Sequence, residues 1–375
     1  MVYGFMRGEP KEPPEFCTLI NPETRIPKDH PLRVIKRRVE EVLRRLSPQF
    51  DALYAANGRP SIPPEQLLKA RLLMALYSVR SERLFCEQLA YNLLWLWFLD
   101  RELDEGSWDH SSFSQNQERV LSTEGAQLFF YEVFQLSREH GWASDQHFSA
   151  DGTLIESWAS LKSFTPKSGT DQPPRPPRDN DPGNPTVDFK GQRRTNDTHQ
   201  SRTDPDAVLY RKGRGKEAKL CFGGQVLMDN RHGLCAQITI HNPIAEAEDR
   251  VALQQADQHR AVFGVSPVTV GADKLYHQRA FVQGCRERGI RPHVATKDHV
   301  AVPGVDGRTT RASGYRTSQR VRKRIEEIFG WMKTVGGLRR SRYRGIDRTQ
   351  AWAYFVAGAY NLLRMAKLEL LASTG

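Results

Sequence analysis

Near Trp142 the hydrophobic pattern of the chain changes period, and that switch limits the architectures open to it. Before it, apolar residues recur at three and four. "PLRVIKRRVEEVLRRL" sets Leu32, Val34, Ile35, Val39, Val42, Leu43 and Leu46 on one stripe, and Pro31 suits the first turn of a helix. "SIPPEQLLKARLLMALYSV" and "SERLFCEQLAYNLLWLWFL" continue the pattern, with Ser81 as an N-cap and Ser112 or Ser114 capping the next helix. After it, "HFSADGTLIES" alternates Phe148 and Ala150 against Ser149, Asp151 and Thr153, as a strand with one apolar face does.

The later elements follow in a definite order. "AKLCFGGQVLMDNRHGLCAQITIH" reads as two strands around the turn-rich Asp229–Gly233. A helix over 244–262, the short strand "SPVTVGAD", a helix over 275–289, the strand "RPHVAT" and a helix over 318–334 come next. The final helix is "QAWAYFVAGAYNLLRMAKLELL". Three antiparallel strands followed by alternating helix and strand predict an α/β mixed sheet with helices on its faces. Several short helices ahead of it allow a helix-turn-helix or a plain bundle. The predicted organisation is a proline-rich arm over 1–30, a helical N-terminal domain over 31–140, and a catalytic domain over 141–375. A flexible polar insertion is expected at about 165–216.

Composition excludes several classes. Hydrophobic residues make up 38% of the chain, and the longest apolar run, Leu93–Leu99, is too short to span a bilayer. The opening "MVYGFMRGEPKEPP" lacks the apolar region of a signal peptide, so the expectation is a soluble, intracellular protein. Cys17, Cys86, Cys221, Cys235 and Cys285 are scattered and odd in number, which argues for reduced, mostly buried thiols. The net charge is +11, and Arg311–Gln350 alone carries +9, interleaved with Tyr315, Phe329, Trp331 and Tyr343. Such a strip suits a nucleic-acid backbone; a solvated helix face is the competing reading.

Three carboxylates are placed for chemistry. Two-metal phosphoryl transfer needs acids converging on cations roughly 3.5–4 Å apart, and Mg²⁺ prefers hard oxygen ligands. Asp151 lies on the polar face of the first strand, or forms an Asp-Gly turn. Asp273 follows a short strand, or caps the next helix. Glu326 shares a helical face with Arg322 and Lys333, while Glu327 points elsewhere and fits a solvated ion pair.

Taken together, these residues resemble the IS5 family of insertion-sequence transposases, within the IS4/IS5-like DDE transposases. The resemblance rests on "GRPSIPPEQLLKARLLMALYSVRSERLFCEQLAYNLLWLWFL", "WDHSSFSQNQERV", "SADGTLIESWAS", "VGADKLYHQRAF" and "RVRKRIEEIFGWMKTVGGLRRSRYRG". It implies an RNase H-like catalytic core with Asp151, Asp273 and Glu326 as an acidic triad holding two Mg²⁺ ions, with Mn²⁺ able to substitute. Arg322, Glu326 and Lys333 match the family signature, but its tyrosine position is Gln319 here. The expected activity is binding of the element's terminal inverted repeats, cleavage at its ends and joining of 3′-hydroxyls to target DNA. DNA contacts are expected from Arg320, Arg322, Lys323, Arg324, Trp331, Lys333, Arg339, Arg340, Arg342 and Arg344. The implied partner is double-stranded DNA, bound by a homodimer or larger assembly at the bacterial nucleoid. The alternatives are an RNase H-like nuclease and a non-catalytic DNA-binding domesticated transposase.

Overall fold

The computed structural model describes residues 21–51, 61–102, 104–120, 123–167, 188–189, 192–211, 213, 216–296, 301–303 and 305–373. The arm expected over 1–30 therefore lies largely outside the described residues, as does Cys17. Among the described residues a one-turn helix (Pro22–Arg25) and six longer ones precede the sheet: α1 (Pro31–Asp51), α2 (Pro64–Leu76), α3 (Glu82–Leu89), α4 (Leu93–Phe98), α5 (His110–Val120) and α6 (Thr123–Glu139). Ser81 caps α3 through its side chain, which accepts the Leu84 amide at 3.1 Å. The cap of α5 is Asp109, whose carboxylate accepts the amides of Ser111 and Ser112. Ser112 and Ser114 thus lie inside that helix, because Asp109, one residue before it, already takes the free amides of its first turn.

The sheet forms from β1 (His147–Glu156), β2 (Lys219–Asp229), β3 (Leu234–His241), then α7 (Glu248–Phe263), β4 (Thr269–Ala272), α8 (Arg279–Glu287) and β5 (Arg291–Val294). Its order is β5-β4-β1-β2-β3. The β1–β2 and β2–β3 pairs are antiparallel, and β1–β4 and β4–β5 are parallel. Three meandering strands with two parallel strands added beyond the first is the RNase H-like arrangement. After β5 come α9 (Tyr315–Val321), a 3₁₀ turn over Arg322–Arg324, α10 (Ile325–Thr334) and α11 (Ile346–Ser373). The expected single helix over 318–334 begins earlier and is interrupted by that turn. The 275–289 helix is likewise split, with a 3₁₀ turn at Lys274–Tyr276 before α8.

Much of the polar insertion expected at about 165–216, including residues 168–187, lies outside the described residues; short strands occur at its described ends. Phe164–Pro166 pairs with His199–Ser201, and Val208–Tyr210 adds a short edge strand to β2. Asp204 is fully buried; it accepts Ser157 Oγ at 2.7 Å and the Gly345 amide at 3.1 Å. This carboxylate thus ties the described end of the insertion to the end of β1 and to the segment before α11.

One hydrophobic cluster runs from Leu32 to Ala366 and joins the helical region to the sheet. Helix α11 is its spine, packed on β3 and on α2 and α6. The outer edge of β3 would leave amides and carbonyls unpaired in this core. Asn361 closes it at one end, accepting the Cys235 amide and donating to the Cys235 carbonyl, both at 2.8 Å. Gln350 closes the other, accepting from Ile240 N at 2.6 Å and donating to Ile238 O at 3.1 Å. A second tie is polar. Arg71 pairs with Glu82 at 2.7 Å and donates to Tyr343 Oη at 2.7 Å, fixing α2 to the segment before α11. Cys86, Cys221, Cys235 and Cys285 are free and buried, and burial raises every one of these thiols.

Asn361→Leu should cost about 2–4 kcal/mol in a urea titration, since it orphans both backbone groups of a buried Cys235. A loss under about 1 kcal/mol would show that the edge is satisfied otherwise.

Candidate active site

The site starts where β1 and β4 part. Their parallel pairing runs His147–Thr269, Phe148–Val270 and Ser149–Gly271, then stops. Two residues further along each strand stand Asp151 and Asp273. Continuing the alternation puts both on the face of Ser149 and Gly271, just beyond the point where the two strands part. Asp273 leaves the strand and caps the turn that follows, accepting the Leu275 amide at 2.7 Å. Both readings of Asp273 are therefore compatible, since the capping bond uses one carboxylate oxygen. Both aspartates act on one buried phenol. Burial raises the pKa of Tyr276 well above 10, and Glu248, Asp151 and Asp273 add to the shift.

The α9–α10 segment crosses this face. Arg322 Nη1 approaches Asp151 Oδ2 at 3.6 Å, and Lys333 Nζ donates to Thr153 Oγ1 at 2.5 Å. The two cations thus reach residues two apart on β1, one from each end of the helical stripe. Glu326 lies between them in the first turn of α10, exposed, whereas Ile325 and Ile328 face the core. Among the described residues no three His, Cys, Asp or Glu side chains are grouped closely enough to hold a metal ion. Arg322 stands beside Asp151, and Glu326 lies exposed on the helical segment that begins just after it. Gln319, at the signature tyrosine position, donates to the carbonyls of Ala272 and His293. It pins α9 to the ends of β4 and β5, one residue before Asp273.

Two family matches bear on this arrangement. Residues 20–119 match a "Transposase domain (DUF772)", and residues 187–362 match a "Transposase DDE domain". The chain belongs to the IS4/IS5-type DDE transposases. Asp273 and Glu326 fall inside the second match, and Asp151 precedes it. No curated protein matches the chain. Two solved structures are similar at 10% identity. One is a Mos1 transposase paired-end complex with left transposon end, covering 76% of this chain and 81% of that one at a TM-score of 0.20. The other is a pre-cleavage Mos1 transpososome, covering 86% and 82% at 0.19. Likeness at that level carries no structural argument.

The transposase displays most of its basic strip to solvent. Arg320, Lys323, Arg324, Arg339, Arg340 and Arg344 are exposed. Two residues of the strip depart from the expectation. The Trp331 ring packs edge-on against Tyr360, 5.7 Å between centroids, and belongs to the core boundary. The Arg342 guanidinium is turned inward, 4.2 Å over the Trp352 ring, and donates to Val79 O at 2.8 Å. Burial lowers its pKa. Its charge holds α11 to the α2–α3 connection and is not displayed to DNA, because an aromatic partner from α11 covers it.

Sequence patterns alone missed two neighbours. Glu248, at the start of α7, rests its carboxyl group over Gly152; a Cβ there would lie 2.6–2.8 Å from those atoms. The absent side chain beside Asp151 is thus filled by another acid. Trp158, just past β1, is 56% exposed and braced by the Arg340 guanidinium at 4.9 Å. An acid opening the helix after the third strand, and a tryptophan after a strand end, were the available signals.

Hard-oxygen carboxylates suit Mg²⁺, which completes its shell with water and phosphate; among the described residues no three acids, His or Cys are grouped closely enough to hold a metal ion. The Asp151–Arg322 pair is long, with side chains 22% and 19% exposed. Asp151→Asn should therefore change stability by about 1 kcal/mol or less in a urea titration. A loss of several kcal/mol would make Asp151 a structural ion pair first.

Proposed function

We propose that this DDE transposase cleaves DNA at the ends of its own element and joins the freed 3′-hydroxyls to target DNA. The observation that supports it most is the pair Asp151 and Asp273, each two residues past the point where two parallel strands separate, with Arg322 of the basic helical segment beside Asp151. Asp151, Asp273 and Glu326 would hold divalent cations, Mg²⁺ with Mn²⁺ as substitute. Such ions activate an attacking oxygen and stabilise a leaving one. Glu326 would join the aspartates once DNA draws Arg322 off Asp151 and onto a phosphate. Lys333 would grip the strand on the other side of Glu326. Water is the first nucleophile, breaking the P–O3′ bond at the element end. The 3′-hydroxyl so released then displaces the 3′ oxygen of a target phosphodiester in line, so no covalent enzyme intermediate forms.

Arg320, Lys323, Arg324, Arg339, Arg340 and Arg344 would add salt-sensitive affinity for the backbone. Residues 31–140 would recognise terminal repeats and support assembly of a dimer or larger complex, since two ends are joined in one event. No helix among the described residues is long and apolar enough to cross a membrane. That accords with action at the bacterial nucleoid.

The test is cleavage and joining of a labelled element end with Mg²⁺ or EDTA. Asp151→Ala, Asp273→Ala and Glu326→Ala should each lose about a thousandfold or more in rate, as expected when several kcal/mol of charge stabilisation disappear. Glu327→Ala should stay close to wild type. Cleavage without joining under all conditions would turn the reading to a nuclease. Tight end binding without cleavage by wild type would turn it to a DNA-binding protein.

A further inference from the structure

The face that carries the two aspartates is polar well away from them. Strand register sets three rows across β1, β4 and β5. The outermost is His147–Thr269–Arg291, the next Ser149–Gly271–His293, and the last holds Asp151 and Asp273. A cavity of about 520 Å³ lies over the first two rows, roofed by Gly314, Thr317 and Ser318 and walled by Arg231. His293 lines it at 1% exposure, and neither ring nitrogen has a hydrogen-bond partner. The Ser318 hydroxyl is also buried without one. Buried polar groups cost free energy unless paired, so a bound group that pairs with them is the natural complement.

The cavity opens past Arg291 and Ser313 into a trough of about 710 Å³ that adds Arg286, Arg308 and Arg311. Arg286 and Arg308 share Asp306. None of the ion pairs among the described residues involves Arg231, Arg291 or Arg311. Gly307 gives Arg311 room, for a Cβ there would lie 2.7 Å from its guanidinium. The charge continues onto the exposed Arg316 and Arg320 of α9. A trough this long and this open exceeds the needs of one small anion and follows the course of a phosphodiester backbone.

We propose that this cavity and trough are a second phosphate site, seating the backbone of the DNA strand that runs on from the carboxylates. Its distance from the reacting phosphate rests on the proposed function. Four residues of strand separate His147 from Asp151, roughly 13 Å at about 3.3 Å per residue. That equals about four nucleotides of one strand at about 3.4 Å each. Arg291 and Arg311 supply the charge. Burial first, with Arg291 and His147 adding, lowers the pKa of His293 to about 4. At neutral pH it therefore offers one ring N–H to a phosphate oxygen and no charge.

The test measures binding of the full chain to a labelled duplex in EDTA, so that nothing is cut, over a range of salt. The double variant Arg291→Gln/Arg311→Gln should weaken binding about tenfold and lower the slope of log K against log salt by about 1.8, or 0.9 per lost phosphate contact. Arg260→Gln, an exposed arginine of α7 away from the basic strip and the N-terminal helices, should change neither. His293→Gln should weaken binding with the slope unchanged. Melting temperatures near wild type confirm that the variants fold. An unchanged slope in the double variant overturns the site, as does a wild type that binds no duplex. Inorganic phosphate that stabilises wild type but not the double variant, with the duplex slope unchanged, marks a free-anion pocket and also overturns it. A protein that cuts and joins without the slope difference loses only this site; one that shows the difference and never cuts loses only the proposed activity.

Discussion

Two side-chain amides on one helix close the free edge of the sheet, and both halves of the molecule depend on that closure. Gln350 and Asn361 lie eleven residues apart on α11, roughly 16 Å of helix at about 1.5 Å per residue. The backbone groups they satisfy run from Cys235 to Ile240 on β3, about the same length of strand. The helix thus stands in for a missing strand, with two rungs in place of a ladder. Because α11 also packs on α2 and α6, the same helix fixes the N-terminal helices against the sheet. Arg71 and Arg342 reinforce that join with aromatic partners, where an unpaired guanidinium would be costly.

With β3 anchored, β1 is held in the middle of the sheet, and the chemistry is arranged by where its pairing with β4 ends. Asp151 and Asp273 owe their adjacency to backbone register, which no side-chain change near them would alter. The helical segment above is placed by Gln319, which reads the carbonyls at the ends of two strands. Gln319, at the signature tyrosine position, thus serves internal positioning.

The element order could be read directly because burial imposes a period. Phe148 and Ala150 face one way and Asp151 the other, and no alternative pairing keeps that alternation. What stayed hidden depends on partners distant in sequence. Arg342 lies in a run of cations, and only the Trp352 ring and the Val79 carbonyl reveal that its guanidinium turns inward. Asp204 lies in a polar tract, and its donors come from Ser157 and Gly345. The 3₁₀ turn falls on three consecutive cations, which give no periodic signal. The polar row of His147, Thr269 and Arg291 draws one residue from each of three strands, so no single stretch announces it. Asp151, Asp273, Arg322 and Lys333 could be singled out because each is placed by its own element, whereas the side that Glu326 presents depends on the turn before it.

That turn has a mechanical meaning. Three residues at about 120° each advance the helix some 60° further than α geometry would, and lengthen it by about 1.5 Å. Arg322 lies at its start and Glu326 just beyond it. The turn therefore sets the torsional phase between the cation resting on Asp151 and the carboxylate facing solvent. A change of phase within three residues would swing one toward the aspartates as the other swings away, with the core residues Ile328 and Met332 serving as the axle.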